Sequence, residues 1–211
     1  DGAERGPLLW LPCVMLAGFC LIAIALICVR PLLADSACWQ SQQGKYSMEQ
    51  RLAKAEEAVR LQPLEPAYRE HLSWLAFRLG NTSRAEEEIL AAERLAPNDP
   101  RILAAKGAFY AHWGETEPQR LAQAESAYRR AIDLAPHIAT YHTALGLILV
   151  KVGRPQEALV ELERAVDLDA TDGVAFAHLA DLYSALGRAD AAEWASSMAR
   201  QYGVEEAESR P

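Results

Sequence analysis

Five histidines and four cysteines are the residues of this 211-residue chain best suited to hold a metal or attack a substrate. A metal site on a helix wants two such ligands three or four positions apart, joined by carboxylates that point at the same ion. His71, His112, His137, His142 and His178 do not pair that way, so no metal is expected. His142 stands beside Tyr141 and reads as a buried or half-buried packing ring. Cys13 and Cys20 are seven residues apart and share a helix face, with Cys28 turned away and Cys38 further on. Cys13, Cys20 and Cys28 read as small polarizable packing residues. Glu86, Glu87 and Glu88 read as a solvated face. No glycine-rich phosphate loop and no Ser/His/Asp or Cys/His set is present. We therefore expect no enzyme: catalytic, cofactor-binding and metal residues none, cofactors none. What remains is the chemistry of contact.

The elements that would position such contacts repeat. Gly80, Gly114, Gly153 and Gly187 are 34, 39 and 34 residues apart. In the central stretch 139–172, Leu145, Gly146 and Leu149 lie on a first helix and Gly153 makes a turn. Ala158, Leu162 and Ala165 then share one face of a second helix. A period near 34 with helix, turn and helix in each unit marks a repeat array. The neighbouring units carry the same small and bulky positions. The unit 66–99 has Leu72, Ser73, Gly80, Ala85, Ile89, Ala92 and Pro97, with Arg69 and Ala76 where bulk is expected. The unit 100–138 has Leu103, Gly107, Tyr110, Gly114, Ala124, Tyr128, Ala131 and Pro136. It departs at Lys106 and in a five-residue insertion within 115–120. The unit 173–206 has Phe176, Leu179, Ala180, Tyr183, Gly187, Ala192 and Ala199, departing at Ser196 and Val204. In these residues the chain resembles the tetratricopeptide repeats (TPR). The resemblance implies an all-α fold, a TPR α-solenoid of helix-turn-helix repeats, over residues 66–206.

Before the repeats, residues 8–29 carry no charge over 22 positions, long enough to cross a hydrocarbon core of about 30 Å as a helix. A secretory signal would have a basic start, an apolar core of about 7–15 residues and small residues at a cleavage site. The start here is DGAERG, and Phe19 before Cys20 spoils a lipoprotein box. We expect a short flank over 1–7, a single transmembrane helix over 8–30 that contacts the lipid bilayer through 8–29, and Trp10 as an interfacial anchor. The span holds no His, Asp or Glu and no Gly-xxx-Gly pair, which leaves it anchorage and lateral packing. Arg30, Lys45, Arg51 and Lys54 on the trailing side lean toward cytoplasmic repeats by the positive-inside rule, though the side stays open. Opening on Asp1 rather than Met, the chain is expected to be processed or part of something longer.

Residues 31–65 read as a linker and a degenerate first unit. Leu52, Ala55, Val59 and Leu61 lie toward one side, Ala58 stands on the second alanine position, and Arg51 stands where the first should be. Terminal repeats are atypical because one of their faces has no neighbour. Residues 207–211 read as a frayed tail. After Cys38 there are 26 acidic and 19 basic residues, a balance that disfavours nucleic acid as a partner.

In the family resembled, the contact surface comes from the first helices. Carried over, that implies a partner-binding groove of Glu70, Trp74, Phe77 and Arg78, then Ala104, Ala108, Ala111 and His112. The later units add Thr143, Leu147, Val150 and Lys151, and Ala177, Asp181 and Ser184. The set is apolar and small, suited to an apolar helix or extended segment anchored near Trp74 and Phe77. The alternative is that Trp74 and Phe77 pack against the degenerate first unit. The insertion either lengthens a turn or forms a contact loop. The function expected is a membrane-anchored TPR scaffold or accessory subunit, mediating protein-protein interaction in the assembly of a complex in the same membrane. Ala34, Asp35, Ala58, Pro63, Pro66 and Tyr68 also resemble the region after the last span of O-antigen ligase or polymerase type glycosyltransferases. A further resemblance is to client-holding cytochrome c maturation factors.

Overall fold

The computed structural model describes residues 11–203, and every regular element among them is helical. The flank 1–7, Trp10 and residues 204–211, including the expected tail, lie outside the described residues, as does the side chain of Cys13. The chain divides into two compact units, Asp1–Leu95 and Ala96–Pro211.

The first unit holds α1 (Leu11–Ile24), α2 (Arg30–Gln42), α3 (Met48–Leu61), α4 (Pro66–Arg78) and α5 (Thr82–Leu95). The backbone stays helical from 11 to 42 but widens into a π-helical turn at Ala25–Val29. Pro31 supplies the reason. It has no N–H to donate, and its ring crowds the carbonyl four residues back, which a wider turn relieves. Between residues 11 and 42 two α-helical stretches are thus joined by a π turn. Among the described residues no helix is long and apolar enough to cross a membrane.

Packing begins with α2 against α3, joined by a loop that ends in a capping box between Ser47 and Gln50. Ala34, Ala37, Ala58 and Tyr68 form one core cluster; Ala55, Leu72 and Leu75 form a second. Both depend on alanines with almost no exposure, so the helices approach closely. Arg51, the departure from the small-residue pattern, donates from Nε to the Ser41 carbonyl at 2.7 Å. That carbonyl is in the last turn of α2 and has no helical partner of its own. Arg69, a departure at a bulky position, reaches from α4 to Glu88 on α5 at 2.7 Å, and Arg84 holds the same carboxylate at 3.0 Å. Glu88 is only 8 % exposed, so of the three glutamates read as a solvated face it is corrected to an interior partner, while Glu87 is exposed. A charge at the bulky position has drawn a countercharge into the helix pair.

The second unit stacks three hairpins: α6 (Pro100–Trp113) with α7 (Leu121–Leu134), α8 (Ala139–Lys151) with α9 (Pro155–Leu168), and α10 (Gly173–Ala185) with α11 (Ala189–Gln201). Prolines at the first turn start α4, α6 and α9, where a missing N–H costs nothing. At the end of α8, Gly153 takes φ +77° and Arg154 N–H returns to the Leu149 carbonyl at 2.8 Å, closing the helix C-terminus. Gly80 and Gly187 do the same, but Gly114 does not. Its backbone stays right-handed (φ −61°), and it is small because the side chain of Leu121 lies against it. The insertion therefore replaces a glycine turn with a longer one. Pro118–Arg120 forms a 3₁₀ turn, and the Arg120 guanidinium sits 3.8 Å from the centroid of the Trp113 ring.

Close approach inside the α6–α7 and α8–α9 hairpins is set by one helical glycine in each. A Cβ on Gly107 would fall 2.6 Å from the Tyr128 ring, and one on Gly146 would fall 2.7 Å from Leu162. In the first unit Ser73 holds the equivalent place and donates to the Ala85 carbonyl at 2.7 Å.

Candidate functional site

The packing of α6, α8 and α10 leaves a cavity of about 420 Å³ within the second unit. Ala108, Ala111 and His112 come from α6, with Glu115 from the turn after it. Leu147, Val150 and Lys151 come from α8 together with Ala144 and Ile148, while His178 comes from α10. Tyr128 reaches the cavity from α7. Each first helix offers one face to its own second helix and leaves another uncovered, so the uncovered faces of successive hairpins line a common hollow. Alanines make the walls low enough for a helix or extended chain to come near the backbone. A volume within the range of about 300–1,000 Å³ typical of binding pockets leaves room for bulky apolar side chains.

Charge is confined to one side of the mouth. Lys151 Nζ donates to Glu115 at 3.4 Å, and His112 Nδ1 is 3.9 Å from the same carboxylate. All three are well exposed, so the group contributes orientation more than stability. Tyr128 is different: burial pushes its phenol up to about 12, so the hydroxyl stays protonated. It serves as an apolar surface.

Six residues of the expected groove thus meet around one hollow: Ala108, Ala111, His112, Leu147, Val150 and Lys151. Others fall elsewhere. Asp181 and Ser184 are exposed on α10 outside the lining. Thr143 is corrected from groove to scaffold, since it is buried and donates at 2.6 Å to Asp172, whose other oxygen caps α10 at Ala175 N–H. His142 is 6 % exposed, with Glu161 on Nδ1 at 2.8 Å and the Pro136 carbonyl on Nε2 at 3.1 Å.

The candidates of the first unit form a separate group. Trp74 lies beside the Arg51 guanidinium of α3 at 5.8 Å and that of Arg78 at 5.2 Å, and stacks on His71 at 6.4 Å. Glu70 is partly buried, and desolvation holds its carboxyl above the usual range. His71 pairs with Ser41 at 2.8 Å; burial and then the charge of Arg51 hold its imidazole below the ordinary value. Burial raises the Cys38 thiol, helped by Asp35 and Glu70. A serine, a histidine and a thiol thus gather here, with Ser41 wholly buried and its hydroxyl donating to the Cys38 carbonyl. The arrangement ties α2 to α4. Among the described residues no group of His, Cys, Asp and Glu could hold a metal ion.

Tyr128, Ala144, Ile148 and His178 were missed by sequence reasoning, while Glu115 lies in the insertion read as either a longer turn or a contact loop. The signal for Tyr128 was present in Gly107, whose missing side chain makes room for that ring.

No curated protein matches the chain in sequence. Among solved structures, PilF of Pseudomonas aeruginosa superposes with a TM-score of 0.73 at 20% identity, covering 83% of this chain and 79% of that one. MamA from Desulfovibrio magneticus RS-1 gives 0.65 at 20% identity, covering 80% and 94%. A thermophilic TPR protein of Thermus thermophilus gives 0.65 at 22% identity, covering 82% and 93%. These likenesses establish the fold alone; the further resemblances to glycosyltransferases and to cytochrome c maturation factors are not shown by them. The tetratricopeptide repeat model matches residues 52–100 and 119–175, half of the chain, and on that match and the helical hairpins described above this protein belongs to the tetratricopeptide repeat family.

Proposed function

We propose that this chain is a membrane-anchored scaffold whose second unit grips an apolar helix or extended segment of a protein in the same membrane. The observation that carries the reading is the alanine-walled hollow with Leu147 and Ile148 beside Tyr128. An apolar hollow with charge at one edge suits a partner that presents bulky aliphatic or aromatic side chains and a polar group near Lys151 and Glu115. Anchorage rests on the uncharged run 8–29. Holding the groove near the bilayer limits its search to proteins of that membrane and raises their effective concentration.

The test is capture of the native partner from detergent-solubilised membranes by the full chain and by its variants. Leu147→Glu and Ala111→Glu place a charge in the hollow and are expected to lower capture about tenfold or more, the scale of a binding hot spot. Trp74→Ala with Phe77→Ala, in the first unit, separates the two candidate surfaces. If the glutamate variants keep their helix content and still capture the partner fully, the groove assignment is wrong.

A further inference from the structure

We propose that the loop between α3 and α4, residues 62–65, is a second bilayer contact, inserting Leu64 into the lipid interface beside the anchor. The inference rests on the anchoring read from residues 8–29, and its basis is geometric. Helix α2 continues the apolar segment without a break in helical backbone. Helix α3 runs back along α2, so its C-terminus returns to where the uncharged run ends, and Arg30 donates to the Arg60 carbonyl at 3.1 Å. The chain then makes the loop and climbs again as α4, whose Tyr68 hydroxyl bonds to Asp35, more than a turn further along α2. The loop therefore sits at the level of Arg30 or closer to the anchor. It is also held in place, since Arg69 Nε donates to the Pro63 carbonyl at 3.1 Å.

Nothing in the fold uses Leu64. It is 76 % exposed at the tip of a pinned loop, whereas the neighbouring leucines of α3 and α4, Leu61 and Leu72, pack into core clusters. Leu32 and Leu33 are exposed on the first turn of α2, at the same end of the unit. An apolar tip, two exposed leucines and the cations Arg30 and Arg60 at one level match a lipid interface. Leucine enters the acyl boundary there, and arginine meets the phosphates. Glu65, the N-cap of α4, is the one acid among residues 62–65 and begins the climb away. Two contacts, the anchor and this loop, would fix how the first unit stands on the membrane, where a single tether would let it swivel.

The experiment uses the full chain in vesicles of phosphatidylcholine and phosphatidylglycerol. The photo-crosslinker p-benzoylphenylalanine is placed singly at 19, 64 or 83, and adducts are read by intact mass. Phe19 lies in the anchor, and Ser83 lies at the opposite end of the α4–α5 hairpin. Lipid adducts at 19 and 64, each a mass gain of one phospholipid, with none at 83, are expected. Adducts at 19 alone leave the anchor standing and overturn the loop contact. Failure at 19 removes the anchoring reading, and the loop contact with it. Adducts at 64 to a second copy of the chain, or equal yields at 64 and 83, also overturn it.

Discussion

Gly107→Ala puts one methyl group where the α6–α7 hairpin has no room. The new Cβ would stand 2.6 and 2.7 Å from Cδ2 and Cε2 of Tyr128 and 3.1 Å from its Cγ. The neighbour is a flat ring that cannot bend, and Cγ is fixed close to the α7 backbone. Relief requires the two helices to separate. Overpacking of a dense interior costs about 1–3 kcal/mol, and a rigid neighbour hit at two atoms belongs at the upper end. Replacing glycine by alanine inside a helix returns about 1 kcal/mol of conformational entropy. The expected net loss is about 2 kcal/mol, roughly thirtyfold in the ratio of folded to unfolded chain. Denaturant unfolding of the full chain in mild detergent, followed by far-UV circular dichroism and by tryptophan fluorescence, measures it. Coincidence of the two probes tests whether the chain unfolds in one step. In a Tyr128→Leu background the same substitution meets no ring, and the double-mutant cycle should return most of the loss as coupling energy. Because Tyr128 lines the groove, Gly107→Ala should also weaken partner capture, whereas an equally destabilising change elsewhere should not. A Gly107→Ala protein as stable as the parent would refute the close approach from which the groove is built.

Gly153→Ala tests the turn: its φ of +77° and the open space around its Cβ make the whole cost conformational, about 1–2 kcal/mol, with Gly153→Asn milder. A neutral alanine variant by chemical denaturation would mean the α8–α9 turn takes another form. Glu88→Ala strips the carboxylate that holds Arg69 and Arg84, and should cost about 1–3 kcal/mol, while Arg69→Leu, supplying the bulk the position lacks, should lie within about 1 kcal/mol of the parent. Equal losses in the two variants would show that the pair is not what joins α4 to α5. His71 has a folded pKa below its ordinary value, so the stability it contributes is full above about 6.5 and is lost as pH falls through the folded value. The thermal midpoint of the first unit should therefore drop on mild acidification, less so in His71→Asn; identical slopes would sink the assignment. Glu70 runs the other way. Its raised carboxyl pKa penalises the fold at neutral pH, so Glu70→Gln should stabilise there and lose that advantage in the carboxylate range.

Fold class was legible because it rests on small residues at fixed spacing. Ala85, Ala92, Ala124, Ala131, Ala158 and Ala165 are all fully buried, and a helix pair cannot close over anything larger at those places. Departures were less legible. Arg51 and Arg69 read as failures of the pattern, yet each satisfies a partner that only the assembled hairpin provides: the Ser41 carbonyl in one case, the Glu88 carboxylate in the other. Neither partner is a neighbour in sequence, and an arginine's reach covers several candidates. Pro31 signalled a disturbance in the first helix, but the sequence does not say whether the backbone kinks, breaks or widens. The answer, a π turn just before it, depends on helical residues on both sides holding their own hydrogen bonds.

The groove divides along the same line. First-helix positions repeat, so counting along the period finds Ala108, Ala111, Leu147 and Val150. Two other lining residues break the repeat. Tyr128 belongs to a second helix, whose residues at that position ordinarily face the interior, and it reaches the hollow because Gly107 lets the ring lie across α6. Glu115 comes from the insertion, the segment with no counterpart in the other units. The same logic explains Thr143, which occupies a groove position in the period yet turns inward because Asp172 offers it a bond at 2.6 Å while capping the next helix. Periodicity therefore gives the wall that every repeat must build. The floor and rim, at Tyr128 and Glu115, are where one repeat differs from the next, and on the function proposed above these are the positions expected to distinguish one partner from another.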